Sequence, residues 1–484
     1  MKYLILIISL VWASTYVKAQ KTLTLTQCID LAQYQSNHMR IAKQSLIIER
    51  REYEAFKTEL KPQLVLSGSP MAYGKNYNPI TQPDGSIIYQ PIEQNNTSME
   101  LNLEQRISAT GGTIFMGSQM SRFDNIQNSS HQYQAQPFYV GYSQPIFQFN
   151  QLKWQKKLAP LQLQEAEKGF VEDMEFIALR TTEFYFNALT AQWNMDIAAQ
   201  NVKDNKRIKE LTKAKKDLGK ASDSEMLQVE LNVISAEQAM TSAHLDYNIA
   251  LRALLNYLQL DYATETISLI VPSEYQLNDV NQDVAWDKAQ LNRKDFISYQ
   301  RRLLEGESLI VKAKRDNRFQ ANVEMAFGTS NQATDFGESY KNSVESHQVN
   351  VTLRMPILDW GRAKSRINAA TSNYELVQAQ IDQEKLDFQR EVINASEQVE
   401  TMAKQVKYIQ KADEVAQQKY NIALQRYELG DISIRELVWS TDEKDQAKNA
   451  YLNTLKGYWM SYYQLRTVTL YDFEKNENIW YVVQ

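Results

Sequence analysis

A single cysteine, Cys28, stands in a chain of 484 residues, so no intrachain disulfide can form and no cysteine pair is spaced for a metal or redox centre. It follows Thr22, Thr24 and Thr26 at what reads as the start of a helix, a place for a small buried thiol and not for a lipid-modified first residue. Histidine is almost as scarce. His38, His131, His244 and His347 are scattered and belong to no HExxH, and the chain has neither a P-loop nor a GxSxG elbow. Nothing in these residues implies an enzyme, a metal or a cofactor. Charge of one sign is also missing: 53 Lys+Arg against 58 Asp+Glu leave a formal −5. The basic residues spread along both halves and form no stripe of the kind that tracks phosphates, which argues against nucleic acid as a partner.

Long apolar runs are confined to the start. Lys2, the run from Leu4 to Trp12 and the small-residue site Val17-Lys18-Ala19 predict a secretory leader over 1–19 and a mature chain from Gln20. Beyond it no stretch approaches the roughly 18 apolar residues of a spanning helix. An exported chain of this kind can enter a membrane only through strands.

Helix breakers are missing from most of the remainder. Eight of ten prolines fall between Pro62 and Pro160, the only breaker from Leu161 to Asp217 is Gly169, and there is none from Arg362 to Leu429. The second of these stretches, as one helix, would be on the order of 100 Å long. The two stretches belong to one repeated unit: Pro145 matches Pro356, Gly219 matches Gly430, Ser222 matches Ser433 and Glu225 matches Glu436, each at an offset of 211.

Within the repeat the apolar residues keep a coiled-coil spacing. Phe388, Val392, Ala395, Val399, Met402, Val406 and Ile409 alternate steps of four and three. Phe170, Met174, Ile177, Phe184, Ala188, Ala191, Met195, Ala198 and Val202 do much the same, with Thr181 in the one polar slot. Leu218-Gly219 and Leu429-Gly430 end the long helices. The capping boxes Ser222-x-x-Glu225 and Ser433-x-x-Glu436 start return helices that run to about Leu258 and Leu470. Segments 25–60 and 285–318, also helical in pattern, supply the length that the return helices lack.

Strand signals precede each long helix. His347, Val349, Val351, Leu353 and Met355 share one face, opposed by Gln348, Asn350, Thr352 and Arg354. Val323, Met325 and Phe327, then Phe138, Val140 and Tyr142, and most cleanly Met99, Leu101 and Leu103 against Glu100, Asn102, Glu104 and Arg106 repeat the pattern. One dry and one wet face suits a lipid-facing, water-filled barrel; a half-buried soluble sheet would show the same alternation. About four strands per chain cannot close a barrel alone, whereas a trimer would supply about twelve. A further hairpin candidate lies at Thr110-Gly111-Gly112.

The opening Leu23–Ala32 (LTLTQCIDLA), the strand end Val351–Gly361 (VTLRMPILDWG) and the hairpin Tyr427–Leu437 (YELGDISIREL), in that order and within a duplicated chain, resemble the TolC family of outer-membrane efflux and secretion channels. The resemblance spans nearly the whole mature chain. It implies a mainly α fold with a small β part. The duplicated antiparallel helical hairpins would form a periplasmic α-barrel, and about four strands per chain would form a shared transmembrane β-barrel in a homotrimer seated in outer-membrane lipid. It implies a passive conduit served by a periplasmic adaptor and an inner-membrane pump. The corresponding segments are N-terminal helices and equatorial part at 20–61, first strand region with a long loop at 62–148, first hairpin at 149–258, equatorial segment and helix at 259–317, second strand pair at 318–356, second hairpin at 357–469 and equatorial tail at 470–484. The tips, Leu218, Gly219 and Ser222 with Leu429, Gly430 and Ser433, would face the adaptor and close the resting channel. Glu436 fits an acidic constriction that would favour cations, although the next turn holds Trp439 and Glu436 is equally the third residue of its capping box. The alternative is a periplasmic helical scaffold or adaptor without a pore.

Overall fold

A computed structural model describes residues 21–261, 267–272 and 280–482. The expected leader lies outside them, as do 262–266 and 273–279 of the segment expected to be equatorial. In chain order the elements are β1 (Lys21–Leu23), α1 (Leu25–Gln35), α2 (Asn37–Glu59), β2 (Gln63–Ser69), β3 (Tyr73–Thr81), β4 (Ile87–Arg106), β5 (Thr113–Asn125) and β6 (Ser130–Ile146). The first hairpin follows as α3 (Gln151–Asp217) and α4 (Asp223–Tyr257). Then come β7 (Ile267–Leu269), α5 (Gln282–Asn292), α6 (Lys294–Asp316), β8 (Gln320–Ala333), β9 (Val344–Arg354), the second hairpin α7 (Arg362–Leu429) and α8 (Ile434–Thr469), β10 (Tyr471–Asp472) and β11 (Glu477–Asn478). Among the described residues no helix is long and apolar enough to cross a membrane.

The chain divides into two compact units, one holding residues up to Leu46, Ala166–Phe296 and those from Lys385 on, the other Ile47–Glu165 and Ile297–Glu384. The first is helical. Its main core gathers Leu25, Cys28 and Ile29 of α1, Phe170, Met174, Ile177, Tyr185 and Phe186 of α3, Leu254 of α4 and Leu455, Tyr458 and Tyr462 of α8. The heptad seam of α7 is buried at Phe388, Val392, Ala395, Val399 and Val406, and each of its Phe and Val side chains contributes about 1.5–3 kcal/mol. In the first copy Thr181, the polar slot, is fully buried. Its hydroxyl is satisfied within the helix, donating to the Ile177 carbonyl at 2.7 Å.

β1 and β7 form a two-stranded parallel sheet pinned by α3. The Tyr185 hydroxyl donates to the Leu23 and Ile270 carbonyls at 3.0 and 2.5 Å, and the Gln192 amide brackets Leu269 through its N–H and its carbonyl at 2.9 and 3.1 Å. Cys28 shares a core with Leu23, Leu269 and Tyr185, fully buried, and that burial pushes its thiol up to about 12. The folded protein should therefore resist thiol alkylation at pH 8 and react at once in denaturant, which mass spectrometry of iodoacetamide-treated protein would read; fast labelling of the native protein would contradict the burial. Because the folded value is raised, ionisation of Cys28 in the unfolded chain lowers stability as pH rises from the ordinary thiol range toward about 12.

The second unit holds one seven-stranded sheet in the order β2-β4-β5-β6-β8-β9, with β3 also on β4. All of its pairings are antiparallel. β2 and β3 lie on the same side of β4 and form one interrupted stave, so the open sheet has six staves where the sequence pattern gives about four. The two that were missed are β2–β3 and β5. Leu64, Val65 and Leu66 put apolar residues on both faces of β2, and Phe115 sits on the wet face of β5, so neither alternates cleanly. The Thr110–Gly112 hairpin belongs to the sheet: it turns β4 into β5, with the Gly111 amide donating to Ile107 and the Ile107 amide to Gly112. Gly111 takes φ +78°, which only glycine adopts without cost.

Candidate functional site

Both hairpin turns close as the residues require. Gly219 and Gly430 have φ +70° and +90°. The amides just beyond them, Lys220 and Asp431, reach back to the Lys215 and Arg426 carbonyls at 2.7 and 2.9 Å, satisfying helix-end acceptors in a Schellman arrangement. Leu218 and Leu429 beside them are exposed.

The two caps differ. At Ser222 the box is complete: the Glu225 amide donates to the Ser222 hydroxyl at 3.2 Å and the Glu225 carboxylate accepts from the Ser222 amide at 2.8 Å. At Ser433 only half of it forms. The Glu436 amide donates to the Ser433 hydroxyl at 3.4 Å, and the Glu436 carboxylate does not return. This corrects the second capping box read from the sequence. The Glu436 carboxylate is exposed on the surface of α8, one turn before the exposed Trp439, over which Lys419 lies at 5.9 Å.

Just above the turns, Ile208, Val229, Tyr420, Tyr427, Ile434 and Leu437 join all four hairpin helices in one apolar cluster. Polar contacts bind the hairpins to each other at the same level. Thr212 and Tyr427 share a hydroxyl contact at 2.7 Å, Lys215 donates to the Tyr427 carbonyl at 2.6 Å and caps its ring at 4.3 Å, the Tyr420 hydroxyl donates to Asp204 at 2.9 Å, and Arg207 pairs with Glu428. None of these cross-hairpin pairs was visible in the sequence, because the partners lie more than 200 positions apart.

The sheet carries the second candidate surface. Leu64, Leu103, Met116, Val140 and Phe327 pair in register from β2 to β8, and Met325 continues this face onto Val349 of β9. Leu64, Leu66, Met99, Leu101, Ile114, Met116, Phe138, Phe327, Val349, Val351 and Leu353 all remain exposed, forming an apolar band across every stave. β5, β8 and β9, with 13, 14 and 11 residues, are long enough to cross a hydrocarbon core, which takes about 9–11.

The opposite face bears Glu100, Asn102, Glu104, Glu324, Gln348, Asn350 and Thr352. Tyr139 on that face is nearly buried and donates to Glu100 at 2.6 Å. Room for it comes from glycine: a Cβ on Gly117 would meet the Tyr139 hydroxyl at 2.7 Å, and one on Gly141 would strike the Phe115 ring. His347 lies within β9, an edge strand of the sheet, against the Phe327 ring at 5.5 Å.

The sequence model of a family described as "Outer membrane efflux protein" matches residues 106–258 and 287–469. No curated protein matches the chain by sequence. Solved structures match over most of its length. The CmeC outer membrane channel of Campylobacter jejuni is 17% identical, with 93% of this chain and 88% of that one covered at a TM-score of 0.67. The outer membrane protein VceC of Vibrio cholerae is 12% identical, with 92% and 95% covered at 0.65. The MtrE outer membrane channel of Neisseria gonorrhoeae, in its open state, is 15% identical, with 92% and 88% covered at 0.61.

Proposed function

This chain belongs to the outer membrane efflux protein family, and from that premise we propose that it is the outer-membrane conduit of a tripartite exporter. In this reading a homotrimer takes cargo from an inner-membrane pump through a periplasmic adaptor that docks at the hairpin tips. Membership places the chain in the outer membrane with a large periplasmic helical part, and it removes the scaffold without a pore. The observation that carries the conduit reading is the sheet, which exposes a mainly apolar face and opposes it with a carboxylate- and amide-lined one, the division that lipid outside and water inside demand.

Two helices of the first unit support self-assembly. α4 leaves Leu227, Leu231, Ile234, Leu245 and Ile249 exposed on one stripe, and α7 leaves Tyr408, Val415, Ile422 and Leu429 exposed at strict seven-residue intervals. Stripes of this period are the faces helices bury against one another, and here a neighbouring copy would cover them. Leu218, Gly219, Ser222, Leu429, Gly430 and Ser433 form the adaptor-facing surface, while the described residues between 259 and 285 and from 470 to 482 make up the equatorial belt.

Glu436 is the constriction residue in this reading, since its carboxylate is free of the cap and exposed. A ring of three such groups attracts cations and repels anions. Glu436→Gln should therefore reduce the cation preference of single channels recorded from detergent-purified protein in planar bilayers, with little change at high salt, where the charge is screened. Equal selectivity in both proteins would remove Glu436 from the constriction. Absence of any conductance in the unaltered protein would remove the conduit.

A further inference from the structure

The repeat offset changes across the strands. α1 and α2 have the same lengths as α5 and α6, 11 and 23 residues, and α2 and α6 start 257 residues apart, at Asn37 and Lys294. The same offset relates the first residues of β2 and β8, Gln63 and Gln320. After the strands the offset is 211, as Pro145 and Pro356 show. The first copy therefore carries 46 more residues between its first and last strand. In the sheet, β2 corresponds to β8 and β6 to β9, so the surplus is β4 and β5, a hairpin inserted between two strands that the second copy pairs directly.

That hairpin does not fold away from the sheet. β4 pairs β2 on one side and β5 on the other, β5 pairs β6, and its residues Leu103 and Met116 continue the dry row from Leu64 to Val140. On the wet face Tyr139 of β6 lies across Gly117 of β5 and bonds Glu100 of β4, which packs the insertion to the older strand. Two edges remain, β2–β3 and β9. β2 leaves a helix and β9 leads toward one, so an edge of one copy meets the opposite edge of the next antiparallel. Both edges carry the dry face on the same side of the sheet, and open edges cannot persist in hydrocarbon.

Resting on the trimer of the preceding reading, we infer that the barrel wall contains six staves per chain and eighteen in all, with β9 of one copy laddered to β2–β3 of the next. The partner at each edge is a second copy of this chain. Two staves more per chain than the second copy's plan would give widen the transmembrane lumen, because barrel diameter grows with strand number.

Strands about 4.8 Å apart and tilted about 40° put an eighteen-stranded wall at a radius of about 18 Å and a twelve-stranded one at about 12 Å. Three-fold-related backbone positions are then about 31 Å apart in the first case and about 21 Å in the second. A spin label at Gln348→Cys, on the wet face of β9, with Ser330→Cys on β8 as a second site, would be read by pulsed electron resonance in lipid nanodiscs; Lys220→Cys at a tip reports assembly independently. After allowance for the reach of the labels into the lumen, which is the same for both walls, a single backbone separation of about 31 Å at either wall site is the expected result. A backbone separation of about 21 Å in protein whose tip label shows a three-fold assembly would overturn the eighteen-stave wall and leave the trimer standing. A monomeric mass with no dipolar coupling at any site would overturn the shared barrel itself and this inference with it.

Discussion

Glu175→Ala is expected to destabilise the helical unit by about 3–5 kcal/mol, because it strips the bidentate one of two carboxylate partners from a buried cation. Glu175 is fully buried on α3 and accepts both Arg466 nitrogens, Nε at 2.8 Å and Nη2 at 3.1 Å, while Tyr481 donates to it at 2.5 Å. Arg466 on α8 also reaches Asp472 at 2.5 Å, and Gln33 of α1 donates to the Tyr481 hydroxyl at 2.9 Å. One cluster thus ties α1, α3, α8 and the C-terminal segment together. Burial opposes the charge on Arg466, and the hydrogen bond and charge of Glu175 outweigh it, so the guanidinium is held well above its ordinary value and stays ionised. Alanine at 175 leaves that ion with Asp472 as its one remaining carboxylate partner here and takes away the acceptor of the Tyr481 hydroxyl.

The double change Glu175→Leu with Arg466→Met should recover part of the loss, since a well-packed apolar pair can replace a buried ion pair. Asp472 keeps its backbone donors from Glu474 and Lys475 in that variant. Urea unfolding of detergent-purified protein would measure all three. A single change costing under about 1 kcal/mol, the range of exposed pairs, would show that the cluster is wet in solution.

The second large effect separates the two faces of β9. Val351→Arg places a charge on the exposed apolar band and should cost about 2–4 kcal/mol if that residue lies near the bilayer midplane, repeated in every copy of a barrel. Asn350, its neighbour in sequence, points to the opposite face and pairs in register with Glu324. Asn350→Arg should therefore stay within about 0.5 kcal/mol, as surface changes generally do. The readout is the yield of folded protein inserted into lipid vesicles as urea is diluted. Equal losses for both variants would mean that β9 has no lipid-facing side, and a larger loss for Asn350→Arg would mean that the faces are reversed.

Much of this molecule is written in short-range pattern. The steps of four and three from Phe388 to Val406 predict a buried helical seam, and the seam is buried. Leu-Gly pairs followed by Ser-x-x-Glu predict two hairpin turns, and both glycines adopt the positive φ that such turns need. Met99, Leu101 and Leu103 against Glu100, Asn102 and Glu104 give β4 its two faces directly. These readings succeed because each depends on residues within about one heptad of one another, where backbone geometry alone decides which side chains share a face.

Other features required the assembled chain. β2 and β5 were illegible because an apolar triplet and a wet-face phenylalanine blur their alternation; only the ladders to β4 and β6 make them strands. The incomplete cap at Ser433 matches the complete one at Ser222 in sequence, so the letters could not distinguish them. Arg466 and Glu175 are 291 residues apart, and nothing local to either announces the other. Thus the amino-acid order by itself determined the repeat, the helix lengths, the turns and the two-faced strands, since these arise from neighbouring residues. Tertiary structure alone decided the number of staves, the cross-hairpin contacts at the tips and the buried ion cluster, because sheet order and burial are set by which distant segments meet.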